Sequence, residues 1–476
     1  MPLDLSQFLS QDARNRPVSA IRGLLPLESR PGMISLLAGK PNPDGFPFES
    51  VTMTLKPSAE MGTDADGKPV TLTIEGEDMK RVLQYGSTSA DPSFDTVLQE
   101  IISRVHQRTR DNGQPDGDFT IAVGSGSQDL LVKAMAVILD EADTLLVEAP
   151  VYPGAIPELQ VNKVNLVSLE TDSQGLSADS LRTTLENWHT SEATKHLKYP
   201  KALYTVPTGA NPAGTTASAE RKREILALVR KHGVLLLEDD PYFFLTFDDV
   251  DEDPTTHART PSYFALEHED AETWGYGYVV RFESFSKIMS AGMRLGFMMG
   301  PPTIVNAVIA LTASSNLHAS APPQAMAAAL LSYWGMDGFL RHANNVAKMY
   351  KERRDMFGAA VESTLGKGED GSKMPVATWI SPVAGMFFWI KLHLPPTDGA
   401  PEGDSYKVIA EKALSYGVLA MPGAAFFATP TVTPYVRTSF SLIEPADARE
   451  ALQRLRQAVE SAWKDAGYES IPPIQP

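Results

Sequence analysis

The apolar positions of this chain predict a repeated alternation of strands and helices from about residue 95 onward. Short apolar runs typical of buried strands occur at residues 120–123, 144–147, 166–169, 202–206, 234–237 and 278–282. Helical spacing of apolar residues occupies residues 95–106, 128–140 and 218–232, and Gly233 stands where a glycine commonly ends a helix. Strands that alternate with helices predict a mostly parallel α/β sheet.

The pattern changes after about residue 335. A long charged helix is predicted over residues 338–365, strands near residues 377–379 and 386–389, and a final amphipathic helix over residues 446–466. We interpret this region as a second, smaller α+β domain, with Trp379 and Trp389 in its core. The expected division is an N-terminal segment with part of the small domain (1–90), a large domain (91–334) and a C-terminal small domain (335–476).

Length and composition limit the functional classes. A chain of 476 residues with 43% hydrophobic and 21% charged residues is typical of a globular protein of two domains. The net charge of −17 argues against non-specific binding to nucleic acid or anionic membranes, and the absence of cysteine excludes disulfides and thiolate chemistry. The sequence has no long apolar stretch and no N-terminal signal pattern, so we expect a cytoplasmic protein, and no metal site is expected.

The segment Ser284-Phe285-Ser286-Lys287, followed by Arg294, carries the strongest chemical signal. A lysine just after a buried strand is partly desolvated, which lowers its pKa and favours the neutral amine that forms a Schiff base. Ser284, Ser286 and Arg294 supply donors suited to a phosphate dianion. A surface lysine on a serine-rich turn is the alternative interpretation of this segment alone.

Acidic residues form a second signal at the end of another strand. Glu238-Asp239-Asp240-Pro241-Tyr242 follows the run 234–237, and α/β proteins bind ligands at the carboxyl ends of strands. A carboxylate there can pair with a pyridinium nitrogen and make the ring an electron sink, while Tyr242 can donate to a phenolic oxygen. The alternative is that the acids only cap a turn.

Two glycine-containing turns add weaker signals. Residues 207–214 follow a strand and include Asn211, whose amide is a donor at the same sheet edge. Residues 124–128, which include Ser127 and Gln128, open a helix whose free N–H groups and dipole favour an anion. Either turn, taken alone, is also explained as an ordinary connection.

Together these motifs resemble the fold-type I pyridoxal-phosphate aminotransferases, with Ser286-Lys287 and Arg294-Leu295-Gly296 as the lysine signature. Residues 126–128, 238–242 and 435–440 are similar to the kynurenine/2-aminoadipate aminotransferases and the fungal aromatic aminotransferases, and residues 35–39, 41–43 and 46–48 match their N-terminal motif. The resemblance covers nearly the whole chain in the same order. It implies an α/β fold in which a large domain with a mostly parallel sheet binds pyridoxal 5′-phosphate, beside a smaller α+β domain.

The resemblance also implies residue roles. Lys287 is expected to carry the cofactor as a Schiff base and to shuttle a proton, Asp239 to hold the pyridine nitrogen, and Tyr242 with Asn211 to hold the phenolic oxygen. Further cofactor contacts are expected from Ser127, Gln128, Tyr152, Ser284, Ser286, Arg294 and, across from a second subunit, Tyr85. Arg437 is expected to bind the substrate α-carboxylate as a bidentate pair, with Asn211, Arg22 and Gly39 as further substrate contacts.

The resemblance implies a homodimer that moves an amino group from an aromatic or other large amino acid to a 2-oxo acid such as 2-oxoglutarate. Three alternatives stay open: 2-aminoadipate or kynurenine as the main substrate, a lyase or decarboxylase on the same fold, and an aminotransferase-like regulator. The regulator is disfavoured because the matching motifs begin near residue 35 and the charge is wrong for nucleic acid.

The chain departs from the family pattern in three places. Ala213 replaces the usual threonine of the Asn-Pro-Thr-Gly turn, and Lys40 stands where human-type enzymes have an apolar residue beside the substrate, which puts the side-chain preference in doubt. Insertions near residues 61–76 and 248–261 are expected on the surface, the second as an exposed acidic loop.

Overall fold

Three β-sheets organise the chain: a two-stranded hairpin, an eight-stranded sheet and a four-stranded sheet. This computed structural model describes residues 4–17, 24, 27, 28, 30–37, 39–110, 119–269, 271–367, 371, 373–397 and 399–473. The strands are β1 Ser50–Thr54, β2 Thr71–Glu75, β3 Thr120–Gly124, β4 Thr144–Ala149, β5 Asn165–Asp172, β6 Gly175–Leu176, β7 Ala202–Thr205, β8 Leu235–Asp239, β9 Val279–Ser284, β10 Gly296–Gly300, β11 Ala377–Trp379, β12 Phe387–Leu392, β13 Met421–Pro422 and β14 Tyr435–Ser439.

The α-helices are α1 Gln11–Asn15, α2 Gly76–Leu83, α3 Pro92–His106, α4 Ser127–Ile138, α5 Ile156–Val161, α6 Ala178–Glu186, α7 Ala219–His232, α8 Tyr263–Leu266, α9 Ala271–Trp274, α10 Pro302–Ser315, α11 Ala321–Thr364, α12 Ser405–Lys407 and α13 Pro445–Asp465. Short 3-10 turns cover Leu5–Phe8, Pro43–Gly45, Pro153–Ala155 and Gly423–Phe426, and a π-helical turn covers Val408–Ala413.

The large sheet has the strand order β3-β10-β9-β8-β7-β4-β5-β6. Its central pairs from β9 through β5 are parallel, and only β10 and β6 pair antiparallel with their neighbours. Every residue of β7, β8 and β9 is buried, and separate apolar clusters cover the two faces of the sheet. The expected α/β fold with a mostly parallel sheet is confirmed, and the antiparallel β10 is an addition that the apolar pattern did not predict.

Local capping explains where two of the helices begin. α3 begins at Pro92, three residues before the predicted start, because Pro92 occupies the first turn and the Asp91 carboxylate accepts from the Ser93 N–H. α7 begins after Ser218, whose hydroxyl accepts from the Arg221 N–H, and ends at Gly233 in the left-handed conformation (φ 64°).

The small sheet is antiparallel, in the order β11-β12-β14-β13. Alternate residues of β12 face opposite sides, so Phe388 and Ile390 lie in the core against α13, whereas Trp389 faces away from it. The expectation that Trp389 is a core residue is therefore wrong. Its ring stacks on Tyr435, with centroids 5.1 Å apart. Trp379 is half-buried and packs against the core.

The long helix α11 begins well before the predicted residue 338. Gly335 interrupts the helix with φ 61° and ψ 179°. This break lies next to the expected domain boundary between residues 334 and 335. The N-terminal hairpin and α2 pack on the first half of this helix, where Ile74 of β2 and Met79 of α2 form an apolar cluster with Ala321 and Ala325. The three domain limits themselves stay a prediction.

Both insertions lie mostly on the surface, as expected, but each also contributes a buried apolar residue. Residues 61–76 include β2, whose Ile74 is buried, because β2 pairs with β1 and needs an apolar face against α11. In the second insertion the acidic residues are exposed, but Val250 is buried in the large core. Within the described ranges no helix is long and apolar enough to cross a bilayer, and no cluster of three or more His, Asp or Glu side chains is arranged to hold a metal.

Candidate active site

The candidate site lies at the carboxyl edge of the large sheet. β4, β7, β8 and β9 are neighbouring parallel strands, so the segments after them meet at one edge. Asp239 is the last residue of β8, and Lys287 comes three residues after the end of β9. Tyr152 follows β4 and Asn211 follows β7. Four segments that are distant in sequence thus supply the site.

Lys287 faces this edge from the turn after β9. Its Nζ lies 5.9 Å from the centroid of the Tyr242 ring. Burial lowers the pKa of Lys287, the nearby Arg294 lowers it further, and Asp239 acts in the opposite direction. The surroundings therefore favour a neutral, nucleophilic amine more than water does.

Asp239 is buried and has one oxygen unoccupied. Its Oδ2 accepts a hydrogen bond of 2.8 Å from the Tyr204 hydroxyl, while the buried Oδ1 has no partner among the described residues. Burial raises the pKa of Asp239 to about 6, and the Tyr204 hydrogen bond opposes that shift. A buried oxygen without a partner is costly unless a ligand satisfies it.

Asp240 faces the opposite side of the sheet. Its Oδ2 lies 3.1 Å from Arg281 and 3.2 Å from the Thr208 hydroxyl, and its Oδ1 is also without a described partner. Arg281 is fully buried and also pairs with Glu238 and Glu283, both at 2.7 Å. This ion cluster, Arg281 with Glu238, Asp240 and Glu283, links strands β8 and β9 beneath the site.

The start of α4 forms a concave backbone surface against Arg294. Gly126 has φ 88° and precedes Ser127, the first residue of α4, and a side chain at Gly126 would collide with the Arg294 guanidinium. Arg294 donates to the Ser125 carbonyl at 3.1 Å and to the Ser286 hydroxyl at 3.3 Å. A helix N-terminus, a guanidinium and a hydroxyl group thus lie together, and groups of these kinds can bind an anion.

Two other predicted contacts lie beside this surface. Ser284 accepts from the Ser286 N–H at 3.2 Å, which fixes the turn before Lys287. Gln128 donates its side-chain amide to the Gly154 carbonyl at 2.7 Å, close to the turn that carries Tyr152. Burial chiefly raises the pKa of the Tyr152 phenol, and the charges of Asp239, Arg437 and Arg294 also shift it, so Tyr152 lies among these groups.

Arg437, in β14, approaches the site from the small sheet. Its guanidinium donates to the Asn211 side-chain oxygen at 2.9 Å. The same guanidinium lies over two aromatic rings, 4.3 Å from the centroid of Phe387 and 5.1 Å from that of Phe426. The contact between Asn211 and Arg437 therefore joins the two sheets at the site.

Two of the predicted residues, Tyr85 and Gly39, are not brought to this cluster, and a third is not described. Tyr85 is 56% exposed, and its described ring contact is with His318, at 6.5 Å between centroids. Gly39 is exposed, with nothing within 4 Å of where a Cβ would stand. Arg22 lies outside the described residues. The roles given to these three positions stay predictions.

Sequence reasoning missed Tyr204, Phe387 and Phe426. A usable signal existed for Tyr204, because a tyrosine inside a fully buried strand needs a hydrogen-bond partner for its hydroxyl. Phe387 lies on β12, the strand next to that of Arg437, and Phe426 lies in the turn Gly423–Phe426. Nothing in the local sequence pattern distinguishes either of them from a core residue.

The arrangement fits the cofactor that the resemblance implies. The unpartnered Oδ1 of Asp239 suits a protonated ring nitrogen, the amine of Lys287 suits an aldehyde, and the concave surface at Gly126 and Arg294 suits a phosphate. The three features lie on one edge of the sheet.

Comparison with known proteins gives a consistent result. Residues 66–455 match the family model of aminotransferase class I and II. The chain is 37% identical over 458 residues to aminotransferase tdiD of Emericella nidulans, covering 96% of each chain. It is 32% identical over 465 residues to the mitochondrial kynurenine/alpha-aminoadipate aminotransferase of Bos taurus, covering 97% of this chain and all of the relative. The crystal structure of the aromatic aminotransferase Aro9 from Candida albicans superposes with a TM-score of 0.82 at 26% identity, covering 98% of this chain and 99% of that chain.

Proposed function

This chain belongs to the class I and II aminotransferases and uses pyridoxal 5′-phosphate, and we propose that it moves the amino group of an aromatic amino acid to a 2-oxo acid such as 2-oxoglutarate. The position of Arg437 carries the assignment of an amino-acid substrate, and the likeness to the aromatic aminotransferase Aro9 supports an aromatic side chain. The Arg437 guanidinium is oriented by Asn211 and lies between Phe387 and Phe426. Neither the lyase nor the regulator alternative gains support from the relatives.

Arg437 binds the α-carboxylate of the substrate in this proposal. A guanidinium presents two parallel donors to a carboxylate, and the contact with Asn211 fixes the plane in which they point. The side chains of Phe387 and Phe426 restrict water around this pair, and an aromatic substrate adds apolar surface to the same pocket.

Lys287, Asp239 and Tyr242 supply the chemistry around the cofactor. Bound pyridoxal 5′-phosphate supplies an electron sink for the bonds at the substrate Cα. Lys287 holds the cofactor covalently through Nζ between reactions, and during the reaction its free amine moves a proton at the substrate Cα. Asp239 keeps a proton on the ring nitrogen through its unpartnered Oδ1. Burial raises the pKa of Tyr242, so its phenol stays a hydrogen-bond donor.

The phosphate group is held at the start of α4 in this proposal. Ser127 contributes the helix N-terminus, Arg294 a charge, and Ser284 and Ser286 their hydroxyl groups. The Gln128 side chain orients the Tyr152 turn through Gly154. The Tyr152 ring would lie against the ring of the bound cofactor.

Kynurenine or 2-aminoadipate is the second candidate for the main amino donor. The specific observation is the 32% identity to a relative with that name over its whole length. Lys40 pairs with Glu28 at 2.7 Å, so this departure from the family pattern places a cation in the N-terminal segment that the resemblance assigns to the substrate pocket.

A substrate panel tests the proposal. We expect kcat/KM with 2-oxoglutarate to be highest for phenylalanine, tyrosine or tryptophan, and lower for kynurenine and 2-aminoadipate. Faster turnover of 2-aminoadipate than of every aromatic donor would overturn the aromatic assignment while leaving the aminotransferase activity intact.

Lys287→Ala is the matched control for that panel. Because Lys287 is the group that attaches the cofactor, this variant should lose transamination and the link that borohydride reduces, yet keep its thermal midpoint within a few degrees. Multiple turnover by Lys287→Ala without an added amine would show that another residue carries the chemistry.

A further inference from the structure

Tyr204 lies next to the site and forms a hydrogen bond with one of its residues. It is the third residue of β7, is 1% exposed, and donates its hydroxyl proton to Oδ2 of Asp239 at 2.8 Å. We propose that Tyr204 is a positioning residue that holds one oxygen of Asp239 and thereby directs the other oxygen at the ring nitrogen of the cofactor. This inference rests on the proposed role of Asp239.

The hydrogen bond removes a rotational freedom that the backbone leaves open. The terminal torsion of an aspartate is broad, so a strand position alone does not fix where its two oxygens point. Oδ2 is engaged by the neighbouring strand, and Oδ1 is buried with no described partner. The remaining acceptor of Asp239 is therefore held in one direction before the cofactor arrives.

Tyr204 is itself held rigidly. Its backbone pairs with Val147 on β4 and with Leu237 on β8, and its ring lies in the apolar cluster that covers this face of the sheet. Burial and the negative charge of Asp239 raise the pKa of Tyr204 well above its usual value, so the hydroxyl keeps its proton and acts as a donor.

The same contact affects the charge on Asp239. Burial raises the pKa of this carboxyl, and the hydrogen bond from Tyr204 is the strongest influence in the opposite direction. The other titratable or charged groups that act on Asp239 or are acted on by it are Asp240, Arg281, Lys287, Glu148, Tyr152 and Tyr242. Without the hydroxyl, Asp239 should take up a proton at a higher pH.

Tyr204→Phe tests the proposal because it deletes only the hydroxyl. The readout is the Kd of pyridoxal 5′-phosphate for the cofactor-free protein, measured by titration from pH 5 to pH 9. At neutral pH we expect the Kd to rise about tenfold, the usual scale for a lost hydrogen bond to a charged group. We also expect the pH below which binding weakens to move up by about one unit.

Tyr263→Phe is the matched control. Tyr263 is also fully buried, but its hydroxyl has no partner among the described residues and lies in the other apolar cluster. This variant should leave both the Kd and its pH dependence unchanged, and thermal midpoints should be recorded for both variants. If Tyr204 has a purely structural role, Tyr204→Phe will lower the thermal midpoint without moving the pH below which cofactor binding weakens. That result would overturn the proposal.

Two further variants separate the possible failures. If Asp239→Asn leaves the Kd unchanged, the proposed role of Asp239 is wrong; if Asp239→Asn weakens binding and Tyr204→Phe does not, only the positioning role fails. If Tyr204→Phe does not fold, 3-fluorotyrosine incorporated at position 204 keeps the volume and strengthens the donor. That protein should bind the cofactor more tightly, and the pH below which binding weakens should fall. An unchanged or opposite shift in that pH would refute the inference.

Discussion

Asp239 and Asp240 are neighbours in sequence, but their side chains leave β8 in opposite directions. Asp239 faces Lys287 and Tyr204, whereas Asp240 faces the buried Arg281. Side chains alternate between the two faces of a strand, so two adjacent carboxylates can serve one catalytic and one structural purpose. At the scale of residues, the fold decides which carboxylate faces the candidate site and which faces the ion cluster.

We expect Asp239→Asn to lower kcat by several orders of magnitude with little change in the free energy of unfolding. Asp240→Asn should do the reverse, because it weakens a buried ion cluster, and removing one partner of such a cluster costs about 3–5 kcal/mol when no other partner compensates. Arg281 keeps Glu238 and Glu283, so the loss should lie below that range. Single-turnover kinetics and urea unfolding of both variants measure the two effects. A crippled kcat in Asp240→Asn with a normal Asp239→Asn would mean that the acids are misassigned.

Much of the site could be predicted at this scale. Lys287, Asp239 and Asn211 each stand just at or after a buried apolar run, and parallel strand ends meet at one edge. Tyr204, Phe387 and Phe426 could not be selected in the same way, because their importance comes from a neighbour on another strand or sheet.

At the scale of elements, Gly335 is the break in the long helix α11. Its φ of 61° and ψ of 179° belong to a region that is essentially restricted to glycine, although nothing lies within 4 Å of where a Cβ would stand. The glycine therefore meets a backbone requirement and not a packing requirement.

Gly335→Ala should lower the free energy of unfolding by about 1–3 kcal/mol. Gly358→Ala is the control, since Gly358 lies inside the same helix and a Cβ there meets only the Phe388 ring, at 3.4 Å. A change within about 1 kcal/mol is expected for the control. Urea unfolding measures both, and equal losses would remove the argument from backbone strain.

Glu148 is the next-to-last residue of strand β4, close to the site. Its carboxyl is buried and has no cationic partner among the described residues. It accepts hydrogen bonds from the Thr205 hydroxyl and the Val206 N–H. Burial raises the pKa of Glu148 to about 7, against a usual 4.5. A raised carboxyl pKa means that the folded state binds the proton more tightly, so this contribution to stability is present below pH 4.5 and is lost as the pH rises through 7.

Glu148→Gln should remove that dependence, because glutamine keeps the acceptor and cannot ionise. Relative to the parent chain, the cofactor-free variant should gain up to about 3 kcal/mol between pH 4.5 and pH 8. Urea unfolding of both proteins across this range measures the difference. A difference that stays constant with pH would show that the pKa of Glu148 is not raised in the folded chain.

At the scale of the whole molecule, apolar side chains remain uncovered near the N-terminus. Ile34 is 90% exposed, Leu36 99%, Phe48 62% and Tyr85 56%. Contiguous exposed apolar surface commonly marks an interface. The family resemblance implies a homodimer in which Tyr85 reaches the phosphate of the partner's cofactor, and we expect these exposed side chains to lie at its interface. The cytoplasmic location expected from the sequence stays a prediction, and the Bos taurus relative is named as mitochondrial.

Sedimentation of the active protein at assay concentration should give a dimer. Tyr85→Phe should raise the Kd of pyridoxal 5′-phosphate up to about tenfold, the scale of one lost hydrogen bond to a charged group. Tyr406→Phe, at a similarly exposed tyrosine, should leave it unchanged. A fully active monomer would contradict both the dimer and the role of Tyr85.

The sequence by itself determined the fold class, the order of most elements and the polar residues at the strand ends. These features follow from local periodicity and from apolar runs that are typical of buried strands, such as the three leucines of β8. Tertiary structure alone decided which residues meet across the sheets: Tyr204 with Asp239, Arg437 with Asn211, and Trp389 away from the small core. Those outcomes depend on strand register and on which face each side chain takes, and a shift of one residue would reverse them.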